Sequence, residues 1–137
     1  MPFNTDETDR LLSTTRSVKN RLDLEREVPE ELILDCIDIA EQAPTGGNQS
    51  SRRWLVIRDP ETKKEIAELY REVGGQFLKE QSELLDGTGH HNEKTIKASS
   101  YLAENLEKVP VLVLVTIYGE HDGSGRPGLF DSVIQAA

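Results

Sequence analysis

Val109 to Ile117 is apolar at nearly every position, with Pro110 at its start. A run this short and this apolar reads as a strand, and its lack of alternation predicts a central strand covered on both faces. Such a strand needs helices around it, and the chain carries their signals. Thr5 to about Ser13 has helical spacing, with Thr5 or Asp6 as cap and Leu11 and Leu12 expected to face inward. Pro29 sits at the first turn of a second helix, with Glu30 and Glu31 at the positive end of its dipole. Leu32, Ile33, Cys36, Ile37 and Ala40 recur at helical spacing, so this helix is expected to bury a broad face, Cys36 included, and to stop before Pro44. Trp54 to Arg58 reads as a short strand. Asp59-Pro60 starts another helix whose Ile66, Leu69, Tyr70 and Val73 form a stripe expected to end at Gly74-Gly75. A further short amphipathic piece covers Phe77 to Leu85, Gly87 to His91 reads as a loop, and Asn92 to Leu106 resumes helical periodicity. At 137 residues the chain reads as one domain spanning 1–137, or part of one.

The net charge of −9 repels phosphate backbones and anionic lipid, which argues against nucleic acid and membrane surfaces as partners. One cysteine allows no internal disulfide and fits a reducing compartment. The N-terminal residues show no basic-then-apolar leader pattern, and the reading is a cytoplasmic protein. At the other end, Asp131 to Ala137 has a helix cap and apolar spacing but no stop signal, so the sequence predicts a chain that ends inside an element.

Most chemical motifs fail on inspection. Gly123-Ser124-Gly125-Arg126-Pro127-Gly128 spells a dinucleotide-loop pattern, but Gly119 to Asp122 separates it from the strand and no acidic residue can follow at the required distance. His90, His91 and His121 lack the spacing of a metal set. Ser124 lacks the glycines of a nucleophile elbow. Two segments stay in play. Ala43-Pro44-Thr45-Gly46-Gly47-Asn48 joins a helix to a strand through a helix-ending proline, two glycines that admit close backbone approach, and an amide that donates and accepts. Thr14-Thr15-Arg16-Ser17-Val18-Lys19 places two cations around a hydroxyl.

Taken in order, these segments resemble the flavin-binding signature of the nitroreductase superfamily. Thr15-Arg16-Ser17-Val18-Lys19 matches an early Arg-Ser-x-Arg/Lys cluster, and Val28-Pro29-Glu30-Glu31 matches the acidic-proline helix start. Ala43 to Asn48 matches Ala-Pro-Ser/Thr-x-x-Asn, and Trp54 to Glu61 the strand and Asp-Pro-Glu helix start. Lys108 to Val111 and Asp131 to Ala137 resemble the family's later strand and central helix. The resemblance runs from about Leu11 to the last residue. It departs at Thr15, where a second basic residue is common, and at Ser50-Ser51-Arg52, where Gln-Pro-Trp or a similar run is common. The C-terminal segment of such a domain is absent, so the sequence predicts roughly its first two-thirds.

The resemblance implies an α+β, nitroreductase-like FMN-binding fold, with a central sheet flanked by helices and incomplete at the C-terminus. It implies FMN as cofactor, NADH or NADPH as co-substrate, and a homodimer with FMN at the interface. The implied activity is hydride transfer to a small organic acceptor such as a nitroaromatic or quinone; the alternatives are a flavin-binding protein without turnover and an inactive fragment. A flavin carries out the redox step itself, so the absence of a catalytic nucleophile or acid–base pair from the reading is consistent with it. By the same resemblance, Arg16, Ser17 and Lys19 serve the ring, ribityl chain or phosphate, and Pro44, Thr45, Gly46 and Asn48 reach FMN from the other subunit. The region from about Gln76 to Leu106 would be a variable lid. Within and beside it Tyr70, Phe77 and Tyr101 are candidates to stack on an aromatic acceptor, although their helical spacing favours a core role.

Overall fold

A computed structural model of the chain describes residues 4–45 and 51–119. Helix α1 (Thr5–Thr14) starts at Asn4, whose side chain accepts the Glu7 N–H, one residue before the expected caps. Helix α2 (Glu30–Ala40) follows Pro29, which stands just outside the first turn. Strand β1 (Arg52–Ile57) begins two residues earlier than the sequence suggests. Helix α3 (Pro60–Leu85) is capped by Asp59, whose carboxylate accepts both the Thr62 N–H and the Thr62 hydroxyl. Helix α4 (Glu93–Asn105) runs into a 3-10 turn at Leu106–Lys108, and strand β2 (Leu112–Ile117) follows.

β1 and β2 pair antiparallel in a register from Arg52 opposite Ile117 to Ile57 opposite Leu112. α3 packs on α4 and on the 3-10 turn, and Ala67, Ala103 and Val109 are buried there. Small side chains let the two helices approach closely, and two basic residues tie the assembly together. Buried Lys63 donates to the Val109 carbonyl at 2.7 Å, and Arg71 donates to the Ala103 carbonyl and to the Glu107 carboxylate at 2.6 Å. Arg58 reaches the Val28 carbonyl ahead of α2.

The structure corrects several expectations. Gly74-Gly75 does not end a helix: α3 runs through both for 26 residues, about 39 Å. Two helical glycines cost only about 1 kcal/mol each, less than good helix formers and packing on α4 return. Leu11 and Leu12 are exposed, and so is Cys36, with Ile33 the buried residue of α2. β2 has β1 as its neighbour among the described residues, and Val113 and Leu114, successive residues on opposite faces, are each 41% exposed. Apolar periodicity marks which faces need cover. It does not say which element supplies it. Among the described residues, no helix is long and apolar enough to cross a membrane.

Candidate functional site

The first candidate segment hangs from the C-terminus of α1. The Thr14 and Thr15 hydroxyls fold back onto the Arg10 and Leu11 carbonyls, and the Thr15 N–H also donates to Leu11. Arg16 then closes over the helix end, its Nη1 donating to the Ser13 carbonyl at 3.0 Å and the Thr15 carbonyl at 2.6 Å. A cation at the negative end of a helix dipole is favourable, and the last turn of α1 holds no basic residue of its own. Those two bonds use one nitrogen. The Nε–Nη2 edge, the fork that meets a carboxylate or phosphate in two parallel bonds, has no partner among the described residues. Ser17 is exposed beside it. Lys19 is half-buried and donates to the Ser99 hydroxyl of α4 at 3.1 Å, which tethers the segment while leaving the ammonium charge unneutralised.

The second segment leaves α2. Residues 41–43 tighten into turns, with the Glu41, Gln42 and Ala43 N–H groups donating to Ile37, Ile39 and Ala40. Pro44 is exposed and Thr45 half-buried. Gly46 and Asn48 lie outside the described residues. No hydrogen bond or ion pair joins Arg16, Ser17 or Lys19 to Pro44 or Thr45 among the described residues.

Residues 12–136 match the family model described as the nitroreductase family. The chain belongs to the nitroreductase family. It is similar to human iodotyrosine deiodinase 1, with 28% identity over 107 residues that make up 77% of this chain and 34% of that protein. Among solved structures it resembles oxidized iodotyrosine deiodinase bound to FMN and 3-iodo-L-tyrosine, with a TM-score of 0.63 at 20% identity over 91% of this chain and 62% of that one. It also resembles a BluB-like flavoprotein from Clostridium difficile 630, with a TM-score of 0.52 at 23% identity over 89% and 52% of the two chains. The chain thus spans about a third of the curated relative and 52% to 62% of the solved ones. At these identities the structures establish a shared α+β nitroreductase fold.

Within that family frame, one cluster was not among the candidates drawn from sequence. Arg52 opens β1 with its side chain 1% exposed, donating to the Glu41 carbonyl at 3.2 Å and the Ala43 carbonyl at 2.8 Å. Its Nε lies 3.4 Å from the Glu41 carboxylate, and the same carboxylate oxygen accepts the Trp54 indole N–H at 2.6 Å. The available signal was the departure at Ser50-Ser51-Arg52, where an arginine stands at the edge of an apolar strand. An open apolar cavity of about 320 Å³ adjoins this cluster, lined by Val28, Leu32, Ile33, Cys36, Trp54 and Val113 among others.

The lid candidates are placed differently from a core reading. Tyr70, Phe77 and Tyr101 are 44%, 58% and 38% exposed, so the helical spacing that favoured a core role was misleading. Ahead of α4, Glu93 accepts the Gly87 and Gly89 N–H groups, and both glycines have positive φ, which other residues reach only with strain. Lys97 bonds both Glu93 and Asp86. Lys97 holds the Glu93 carboxyl below its ordinary range, with the two glycine amides adding to the effect. His90 and His91 stack 4.2 Å apart.

Proposed function

We propose that this chain binds FMN and forms part of an NADH- or NADPH-dependent oxidoreductase that reduces a small organic acceptor, such as a nitroaromatic or quinone. The observation that carries the reading is the open Nε–Nη2 edge of Arg16, held at the end of α1 by two backbone bonds within a segment that resembles the family's flavin signature. The donor set suits an anionic, oxygen-rich ligand: a preorientated guanidinium fork, an exposed hydroxyl at Ser17, and an ammonium on Lys19 tethered by a neutral partner. Bound FMN supplies the redox-active ring, which accepts and passes on hydride. Arg16 and Lys19 contribute positive charge fixed before the ligand arrives, so it needs no reorganisation when negative charge develops nearby. By the family resemblance, Pro44, Thr45, Gly46 and Asn48 would contact the flavin, Gly46 being a residue type that adds no side chain there.

In this reading the two segments serve one site across a homodimer. Mixing Arg16→Ala subunits with Asn48→Ala subunits should restore one competent site per heterodimer. Mixed dimers that gain nothing over either parent would remove the shared site. The test of the whole reading is FMN titration of the purified chain followed by anaerobic addition of NADPH. Bound flavin that bleaches supports the oxidoreductase, bound flavin that stays yellow leaves a flavin-binding protein without turnover, and no binding overturns the proposal.

A further inference from the structure

We propose that Arg52 is a positioning residue for flavin binding, holding Ala43, and with it Pro44 and Thr45, against the base of β1. The inference rests on the flavin reading above and deepens it. Backbone accounting shows the need. Where the chain leaves α2, the Ile37, Ile39 and Ala40 carbonyls accept N–H groups from residues 41–43, and Asp38 accepts the Gln42 side-chain amide. Among the described residues the Glu41 and Ala43 carbonyls accept no main-chain N–H, and Arg52 takes both with one nitrogen. The Ala43 oxygen is the tied atom just ahead of Pro44, and the residue that ties it lies nine positions further on. The exit is pinned as well, since the Ser51 carbonyl accepts the Tyr118 N–H at 2.8 Å. Entrance and exit of the segment are therefore fixed to the same sheet.

An apolar side chain at the start of β1 would bury at lower cost than a guanidinium, so packing alone gives no reason for this residue. What the guanidinium adds is direction: it reaches two carbonyls and a carboxylate at once from one planar group. Glu41 supplies the countercharge, and the Trp54 indole holds the carboxylate in place. A lysine keeps the charge but concentrates it at one point, and cannot reach the same three acceptors in this geometry.

The test uses the full chain and three variants: Arg52→Lys, Glu41→Gln, and Lys63→Met as a control that removes a buried cation from the α3 side. The two readouts are the Kd for FMN and hydrogen exchange at the Thr45 amide, the second without flavin. Arg52→Lys should raise the Kd about tenfold, the scale of one lost hydrogen bond. It should also speed exchange at Thr45. Glu41→Gln, which keeps both carbonyl bonds, should do less on each. Lys63→Met should leave Thr45 exchange unchanged even where it lowers the Tm. If Arg52→Lys leaves Thr45 exchange and the Kd unchanged, or if Lys63→Met at equal Tm loss matches it on both, Arg52 is a structural residue and the inference fails. A wild-type chain without FMN affinity would overturn the flavin reading, and Thr45 exchange would still decide whether Arg52 holds the segment.

Discussion

Two connections in this molecule are held by opposite charges in different surroundings. After α2, the cation of Arg52 reaches back to two carbonyls from a position where its side chain is 1% exposed. Before α4, the half-buried Glu93 reaches back to two amides, Gly87 and Gly89, and pairs with Lys97, whose side chain is 52% exposed. The chemistry is the same in kind, a charged side chain satisfying main-chain groups that secondary structure leaves over. The setting differs. Water and salt reach the Lys97 end of the Glu93 network and are largely kept from Arg52, so the buried clamp is expected to carry more stability. Arg16 stands between them: it too caps carbonyls, but from an exposed position with half of its fork open.

The sharpest way to break this contrast is to remove the buried charge. Arg52→Met leaves two carbonyls and the Glu41 carboxylate without their cation. Deleting one partner of a buried pair costs roughly 3–5 kcal/mol, and the 31% exposure of Glu41 brings the expectation down to about 2–4 kcal/mol. Denaturant unfolding measures this directly. A loss below about 0.5 kcal/mol, the range of ordinary surface substitutions, would show that the clamp is no stronger than an exposed one.

Arg16→Ala tests the intermediate case, and its effect should appear in ligand binding. FMN affinity should fall by about 1.5–3 kcal/mol, the scale of a charge-assisted hydrogen bond, while the Tm without ligand changes little. Unchanged FMN occupancy in a fluorescence titration would take Arg16 out of the site and leave it as a helix cap.

These cases show how much of the molecule the chain discloses before folding. Asp59-Pro60 announced the start of α3, and Pro29 and Pro44 bracket α2, because proline and capping residues act over a few neighbours. The Gly74-Gly75 stop was misread because its local cost is modest and α4, brought in from elsewhere, packs along the helix. Leu11, Leu12 and Cys36 were read as buried from a pattern that describes faces and not their neighbours. In the candidate site, Arg16 and Lys19 stood out through local motif order. Arg52 did not, because the burial of an arginine depends on carbonyls nine or more positions away.

Glu93→Gln probes the other end of the contrast. The carboxylate uses both oxygens, Oε1 for Gly87 and Lys97 and Oε2 for Gly89, whereas the amide has one. One glycine N–H therefore loses its acceptor, and its resonance should shift clearly while the Tm falls only slightly. A large Tm loss would mean that this surface network behaves like a buried one.

The smallest effect is one of pH, and its sign follows from the shift. The Lys97 ammonium, then the Gly87 and Gly89 amides, lower the folded-state Glu93 pKa from its ordinary 4.5. A depressed carboxylate adds stability that is present above the unfolded pKa and is lost as pH falls through the folded one. Glu107 follows the same direction, held down first by the Arg71 guanidinium. The Gly87 and Gly89 amide shifts should therefore titrate together, with a midpoint below 4.5. Lys97→Met removes the leading cause and should move that midpoint upward. A wild-type midpoint at or above the ordinary value, or one unmoved by Lys97→Met, would show that Glu93 is solvated and does not hold the connection before α4.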